Sequence, residues 1–202
     1  MLTAEEKTAI ISLIHRQVVP AIGCTEPIAV ALCVAKAREL LGSLPESIDI
    51  RLSANILKNA MGVGIPGTGM TGLPIAVALG ALIGRPELEL EVLQDCNREA
   101  VELGKRYIAE GRIRISLEEN APDKLYIAVT VAADGQDAEA RIATEHANFV
   151  YLRRGGDVIE DKPIHAGHAD EEEEVELTLK KVYEFATETD VDDLRFILQA
   201  RD

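Results

Sequence analysis

Apolar and polar positions follow two different periods in this chain, and the period changes near residue 110. Before that point the apolar residues recur at helical spacing, and beyond it they mostly alternate one by one. Thr3 with Glu6 three residues on forms a capping box for a helix to about Val18, with Ile10, Leu13 and Ile14 on one face. His15 lies beside that face and reads as a packed histidine. A second helix begins after PAIGCTEP (residues 20–27), capped by Thr25 with Glu26 and Pro27 in its first turn, and stops at Gly42. Its residues 28–35 are apolar on every side, which predicts an interior helix. Residues 47–55 alternate as a strand, 73–83 make a small-residue helix, 88–93 fit a short strand or the approach to the next helix, and 97–109 form that helix.

The remaining pattern predicts β-hairpins. Residues 113–118, 125–132, 138–145, 148–153 and 158–160 have strand character, with turn pairs at Asp134-Gly135 and Gly155-Gly156. The fold class is therefore α+β, with buried small-residue helices and a mainly antiparallel sheet. Two segments follow: an α+β catalytic-type domain over 1–168 and a helical segment over 169–202. The latter contains a helix from Asp170 with Val175, Leu179, Val182 and Phe185 on one face. A last helix, capped by Thr189, carries Leu194, Ile197 and Leu198. The unused apolar faces of these two helices predict a missing C-terminal half or pairing with a second copy as a homo-oligomer.

Composition narrows the class of function. The 202 residues are 47% hydrophobic but only 3% aromatic, and the formal net charge is −14, with the acidic excess after residue 86. A chain so acidic and so poor in stacking side chains is not built for nucleic acid. It has no run of 18 apolar residues and an acidic N-terminus, so no membrane span or signal peptide is expected and the location expected is cytoplasmic. Cys24, Cys33 and Cys96 are odd in number and lack C-x-x-C spacing, which fits neither a disulfide framework nor a complete metal site.

The stretch at 55–72, NILKNAMGVGIPGTGMTG, has five glycines in its last eleven residues and one cation, Lys58. Such a backbone turns sharply and exposes N–H groups, and with a helix starting near Thr71 it predicts a seat for a carboxylate or phosphate. The competing reading is a tight structural connection. Gly62, Gly64 and Gly67 match the G-x-G-x-x-G dinucleotide fingerprint formally. The match fails in context, because about six residues part the expected strand end at Asn55 from Gly62 and Pro66 removes an N–H. Cys24 sits immediately before a helix start, where free N–H groups favour a thiolate, whereas Cys33 reads as a small buried hydrophobe. Glu26 is expected to point outward from that helix start. His165 and His168 are spaced to reach one metal ion, but with no third ligand the plainer reading is a linker.

Gly23-Cys24-Thr25-Glu26-Pro27, then Asn55, Lys58-Asn59 and GVGIPGTG at 62–69, together resemble the iron-sulfur L-cysteine desulfidase family. That family is related to the alpha part of iron-sulfur L-serine dehydratases and to serine-dehydratase-like proteins of UPF0597 type. The likeness extends to EHANFVYLRR at 145–154 and LRFIL at 194–198, and it covers the N-terminal part of such proteins. The resemblance implies α,β-elimination of L-cysteine, to sulfide, pyruvate and ammonia, or of L-serine. It implies a 4Fe-4S cluster whose cysteine ligands lie in a C-terminal half beyond this chain, so that the chain alone is inactive and no residue here is assigned as a metal ligand.

The same resemblance makes Cys24 the group that takes the Cα proton. The residues themselves add a substrate site. Lys58 and the N–H groups around Gly64, Gly67 and Gly69 would hold the carboxylate, Asn55 and Asn59 would add amide donors, Thr68 and Thr71 would add hydroxyls, and Glu26 would answer the ammonium or serve simply as a first-turn acid. The alternative function is a non-catalytic amino-acid-binding or regulatory module that uses the glycine-rich pocket.

Overall fold

The computed structural model describes residues 2–164 and 175–201. The chain forms two compact units, Ile22–Gly167 and a second made of Met1–Ala21 with His168–Asp202. The first helix, set by the sequence within the span 1–168, is thus grouped with the C-terminal segment. His165 and His168, and the start at Asp170 expected for a helix, lie outside the described residues.

In the larger unit, six strands run in the order β4-β1-β5-β6-β7-β8. They are β1 (Ser47–Leu52), β4 (Ile113–Leu117), β5 (Tyr126–Ala133), β6 (Gln136–Ala143), β7 (Phe149–Arg154) and β8 (Asp157–Asp161). Among the described residues only the β1–β4 pair is parallel; β5 to β8 pair antiparallel as consecutive hairpins require, and β1 joins β5 antiparallel across the intervening helices. The Asp134-Gly135 turn has φ of 52° and 72°, the left-handed pair that fits the twist of a two-residue hairpin. The α+β class is that of the structure.

Helix α2 (Thr25–Leu41) lies against β5 and β6 on one side and helix α4 (Leu73–Ile83) on the other. That double burial is why residues 28–35 are apolar all round, and Ile28 to Ala35 are at most 1% exposed. The two helices approach closely because Gly80 has no side chain: a Cβ there would fall 2.5 Å from the Ala31 carbonyl oxygen. Cys33 faces the sheet and its thiol donates to the Ala140 carbonyl at 3.2 Å. Helix α5 (Arg98–Ala109), capped by Asn97, packs on the far side of α4.

Three local expectations are corrected. The strand that was to reach Asn55 ends at Leu52, because the Ser53 carbonyl already accepts from the Leu57 N–H at 3.0 Å and begins helix α3 (Ala54–Ala60). Residues Pro86–Glu91 form a 3₁₀ segment instead of a strand, with Pro86 at its first position. The glycine stretch does not lead straight into a helix at Thr71. It folds into a two-stranded hairpin, β2 (Gly64–Ile65) with β3 (Met70–Thr71), and Gly72, at φ 86°, precedes α4.

In the smaller unit, helix α1 (Ala4–Gln17) carries the full Thr3–Glu6 capping box. Helix α6 (Leu179–Glu188) is capped by Thr178, whose hydroxyl accepts from the Lys181 N–H at 3.2 Å. Lys181 reaches Glu6 at 3.1 Å, and the His15 ring stacks on Phe196 with centroids 3.5 Å apart while the residue itself stays exposed. Thr189 closes α6 through its N–H to the Phe185 carbonyl and caps no further helix. The last segment, Val191–Arg201, is a 3₁₀ helix with Asp190 accepting from the Asp192 N–H. Leu179, Tyr183, Val191 and Leu198 are exposed.

Candidate functional site

The candidate site assembles where α2 begins. Cys24 is the residue before its first turn, with extended backbone (φ −69°, ψ 131°) and no side-chain cap. Gly23 precedes it at φ 85°, and a Cβ there would fall 2.7 Å from Pro66 Cγ. Only glycine allows both that backbone and that approach. The glycine hairpin is therefore pressed against the residue preceding Cys24. At the residue after Pro66, the Cβ position of Gly67 is 3.6 Å from Cys96 Sγ.

The Glu26 carboxylate turns back on the helix start. Its Oε2 accepts from the Cys24 thiol at 2.9 Å and from the Thr25 hydroxyl at 3.4 Å, while its Oε1 accepts from Asn59 Nδ2 at 3.2 Å. This overturns the expectation that Glu26 points outward and that the helix start favours a thiolate at Cys24. The hydrogen bond to Glu26 pushes the Cys24 thiol above its ordinary pKa, helped by partial burial, and the N–H groups of Glu26 and Thr25 oppose it without prevailing. Correspondingly, the thiol's hydrogen bond holds the Glu26 carboxyl below the usual range against desolvation. The Glu26 N–H, Asn59 and the charge of His146 contribute in the same direction.

His146 was absent from the sequence-derived site. It is half-buried in the loop between β6 and β7. No local pattern marks it, because its relation to Glu26 spans 120 positions and exists only once α2 lies along β6. That alignment is antiparallel: Gly42, after α2, lies 4.0 Å from the Arg154 side chain by its Cβ position, Cys33 bonds to Ala140 midway, and the charge of His146, after β6, acts on Glu26.

The structure brings Cys24, Glu26 and Asn59 into direct contact and leaves other expected residues apart. Asn55, on α3, is exposed and lines a separate open groove of about 660 Å³ with Ser53, Glu118, Glu119, Asp123 and Lys124. Lys58 is exposed on the same helix, with no ion pair among the described residues. Thr68 is spent within the hairpin: its hydroxyl donates to the Ile65 carbonyl at 2.6 Å and accepts from the Met70 N–H at 2.9 Å. The Thr68 and Gly72 N–H groups are likewise bonded, to the Ile65 and Val63 carbonyls, so fewer donors stay open than the glycine count predicts. Gly64, Gly67, Gly69 and Thr71 are exposed at the hairpin surface.

The thiols do not form a ligand set. Cys33 is wholly buried, and burial pushes its thiol and that of half-buried Cys96 upward. Among the described residues no three His, Cys, Asp or Glu side chains converge at metal-binding distance. The residues present therefore do not fit a 4Fe-4S cluster by themselves, a finding that does not bear on a cluster in a longer protein. Among the described residues no helix is long and apolar enough to cross a membrane.

The chain is 60% identical to a UPF0597 protein of Bacteroides fragilis over 198 residues, 98% of this chain and 46% of the relative. It is 61% identical to a UPF0597 protein of Bacteroides thetaiotaomicron over 193 residues, 96% of this chain and 45% of the relative. A UPF0597 protein of Oleidesulfovibrio alaskensis is 46% identical over 191 residues, 94% and 44% of the two chains. These relatives match the UPF0597-type likeness read from the motifs. The chain spans about half the length of the curated relatives it matches. No family model and no solved structure matches it.

Proposed function

We propose that this chain is the proton-abstracting part of an amino-acid lyase that carries out α,β-elimination on L-cysteine or L-serine, in a protein whose 4Fe-4S cluster is held outside these residues. The observation that carries the reading is the Cys24–Glu26 hydrogen bond of 2.9 Å at the start of α2, with Asn59 on the other carboxylate oxygen. A thiol held by a carboxylate is a poor base, since the negative charge keeps it protonated. An amino-acid ammonium seated on Glu26 changes both terms. It takes over the carboxylate and sets a positive charge beside Sγ, which lowers the thiol's pKa towards the range useful to a general base.

The thiol then releases its own proton to water, and the resulting thiolate takes the Cα proton, forming S–H as Cα–H breaks. The electron pair forms the Cα–Cβ double bond, and the β-substituent leaves as hydrosulfide from cysteine or hydroxide from serine. Aminoacrylate hydrolyses to pyruvate and ammonia. Substrate would thus switch on its own base, so that Cys24 stays protonated in the empty site. Lys58, exposed on α3, supplies a cation for the carboxylate.

The test compares this chain with the whole-length Bacteroides fragilis relative, both treated anaerobically with iron and sulfide and then given L-cysteine or L-serine. Sulfide or pyruvate from the whole-length protein, lost on replacement of the cysteine equivalent to Cys24, is the expected result. Amino-acid binding without product from a cluster-loaded protein would instead assign a non-catalytic binding module.

A further inference from the structure

The carboxylate at the start of α2 is held from two helices, and the amide that reaches it from the second has no step in the elimination scheme. We infer that Asn59 is a positioning residue: from α3 it holds Glu26 against the Cys24 thiol, so that its amide acts on the sulfur through that carboxylate instead of binding a substrate's carboxylate. Asn59 Nδ2 donates to Glu26 Oε1 at 3.2 Å, while the Cys24 thiol and the Thr25 hydroxyl both donate to Oε2, at 2.9 Å and 3.4 Å. The two donors on Oε2 come from the helix start itself, one a weak S–H and the other a long O–H contact. Alone they leave a half-buried glutamate, rich in rotamers, free to turn to water. A donor on the other oxygen, from a different element, fixes the plane of the carboxylate and with it the oxygen that faces sulfur.

The helix that carries the amide is anchored along one side and at both ends. Ile56 and Ala60 are buried in the core, and Asn59, three residues after one and next to the other, is exposed at the rim of that buried face. Before the first turn the buried Ser53 hydroxyl donates to the Lys124 carbonyl at 2.7 Å. After the last turn the Met61 carbonyl oxygen lies 2.8 Å from the Cβ position of Gly72, so the helix end sits against the base of the glycine hairpin. The amide therefore sets the place of the glutamate, and not the reverse.

Asn59 adds no charge to this group. Cys24, through its hydrogen bond, and His146, through its charge, act on Glu26 as titratable groups, and replacing Asn59 by alanine leaves both in place. Any change in the titration of the thiol then comes from where the Glu26 carboxylate sits. With that carboxylate turned to water, the Glu26 and Thr25 N–H groups, which oppose its effect on sulfur, are left to favour the thiolate. The inference concerns the thiol of the substrate-free chain, and its test reads alkylation instead of turnover, so it stands or falls separately from the lyase reading.

Rates of iodoacetamide alkylation of each cysteine against pH, followed by peptide mass spectrometry on the 202-residue chain, test it. Asn59→Ala should move the Cys24 profile to lower pH and raise its rate near pH 7.5 towards that of Glu26→Gln and no further. The double variant should react at the Glu26→Gln rate within about twofold, because the amide then has no charge left to position. Buried Cys33 should stay protected in every variant. Cys96, beside Gly67 in the hairpin on which α3 ends, should keep its profile. A Cys24 profile unchanged or slowed in Asn59→Ala would overturn the inference. So would a further acceleration when Asn59→Ala is added to Glu26→Gln, or a matching shift at Cys96, either of which would mean that Asn59 only supports the packing of α3.

Discussion

The Cys24 thiol donates to the Glu26 carboxylate across 2.9 Å, two residues apart at a helix start. Helix starts ordinarily favour thiolates, because unpaired N–H groups stabilise negative charge. Here a full charge at contact distance outweighs the partial charges of the backbone, and the thiol is held protonated.

Replacing Glu26 should therefore make Cys24 more reactive. In Glu26→Gln the side chain keeps its shape and loses its charge, which removes the largest cause of the raised thiol pKa. Alkylation of Cys24 near pH 7.5 should rise clearly above that of the wild type, with Cys33 still unreactive. Slower alkylation in the variant would show that the helix start, rather than the carboxylate, governs this thiol.

Lys58 should matter for binding and little for folding. It is exposed, without an ion pair among the described residues. In the whole-length relative, replacing the equivalent lysine by alanine should raise KM for the amino acid by about 1.5–3 kcal/mol of lost charged hydrogen bonding, with the urea unfolding midpoint unchanged. An unaltered KM would remove Lys58 from the carboxylate site.

Two glycines packed between helices should respond differently to alanine. At Gly80 the new Cβ meets the Ala31 carbonyl oxygen at 2.5 Å, a backbone atom that cannot swing aside, so Gly80→Ala should cost about 1–3 kcal/mol by forcing α2 and α4 apart. At Gly104 the nearest atom is the tip of Ile75 at 2.9 Å, which can rotate away. Alanine's helix preference, about 1 kcal/mol over glycine, offsets that adjustment, so Gly104→Ala should be nearly neutral. Urea unfolding of both variants checks the contrast, and equal costs would refute it.

Stability should fall on the alkaline side. Burial pushes the Cys33 thiol and the Tyr107 and Tyr126 phenols above their ordinary values. For an acid whose folded pKa is raised, the protonated form favours the folded state. Its contribution is fully present below the unfolded pKa and is lost as pH rises towards the folded one. The decline should begin near the free thiol value of about 8.5 and steepen past about 10 as the phenols join. Unfolding midpoints at pH 7, 8.5 and 10 test this, and Cys33→Ala should flatten the first part of the decline. A midpoint constant to pH 10 would contradict it.

Local patterns in the sequence determined the helices and the meander. The Thr3–Glu6 box, the all-round apolar run at 28–35, the small-residue helix at 73–83 and the Asp134-Gly135 turn each act within a few residues, so spacing alone reveals them. The same locality exposed Cys24 and the glycine stretch as chemistry-bearing. Tertiary structure decided how those pieces combine. Whether Glu26 points to water or to sulfur depends on Asn59 from another helix, which holds the other carboxylate oxygen. Whether the N–H groups of the glycine stretch stay open depends on the Val63, Ile65 and Thr68 acceptors, which take those of Gly72, Thr68 and Met70 as the hairpin closes. The charge of His146 acts on Glu26 only because α2 runs antiparallel along β6, a register set by helix packing against the sheet. A sequence states which groups can ionise; the positions of their neighbours decide which ones do.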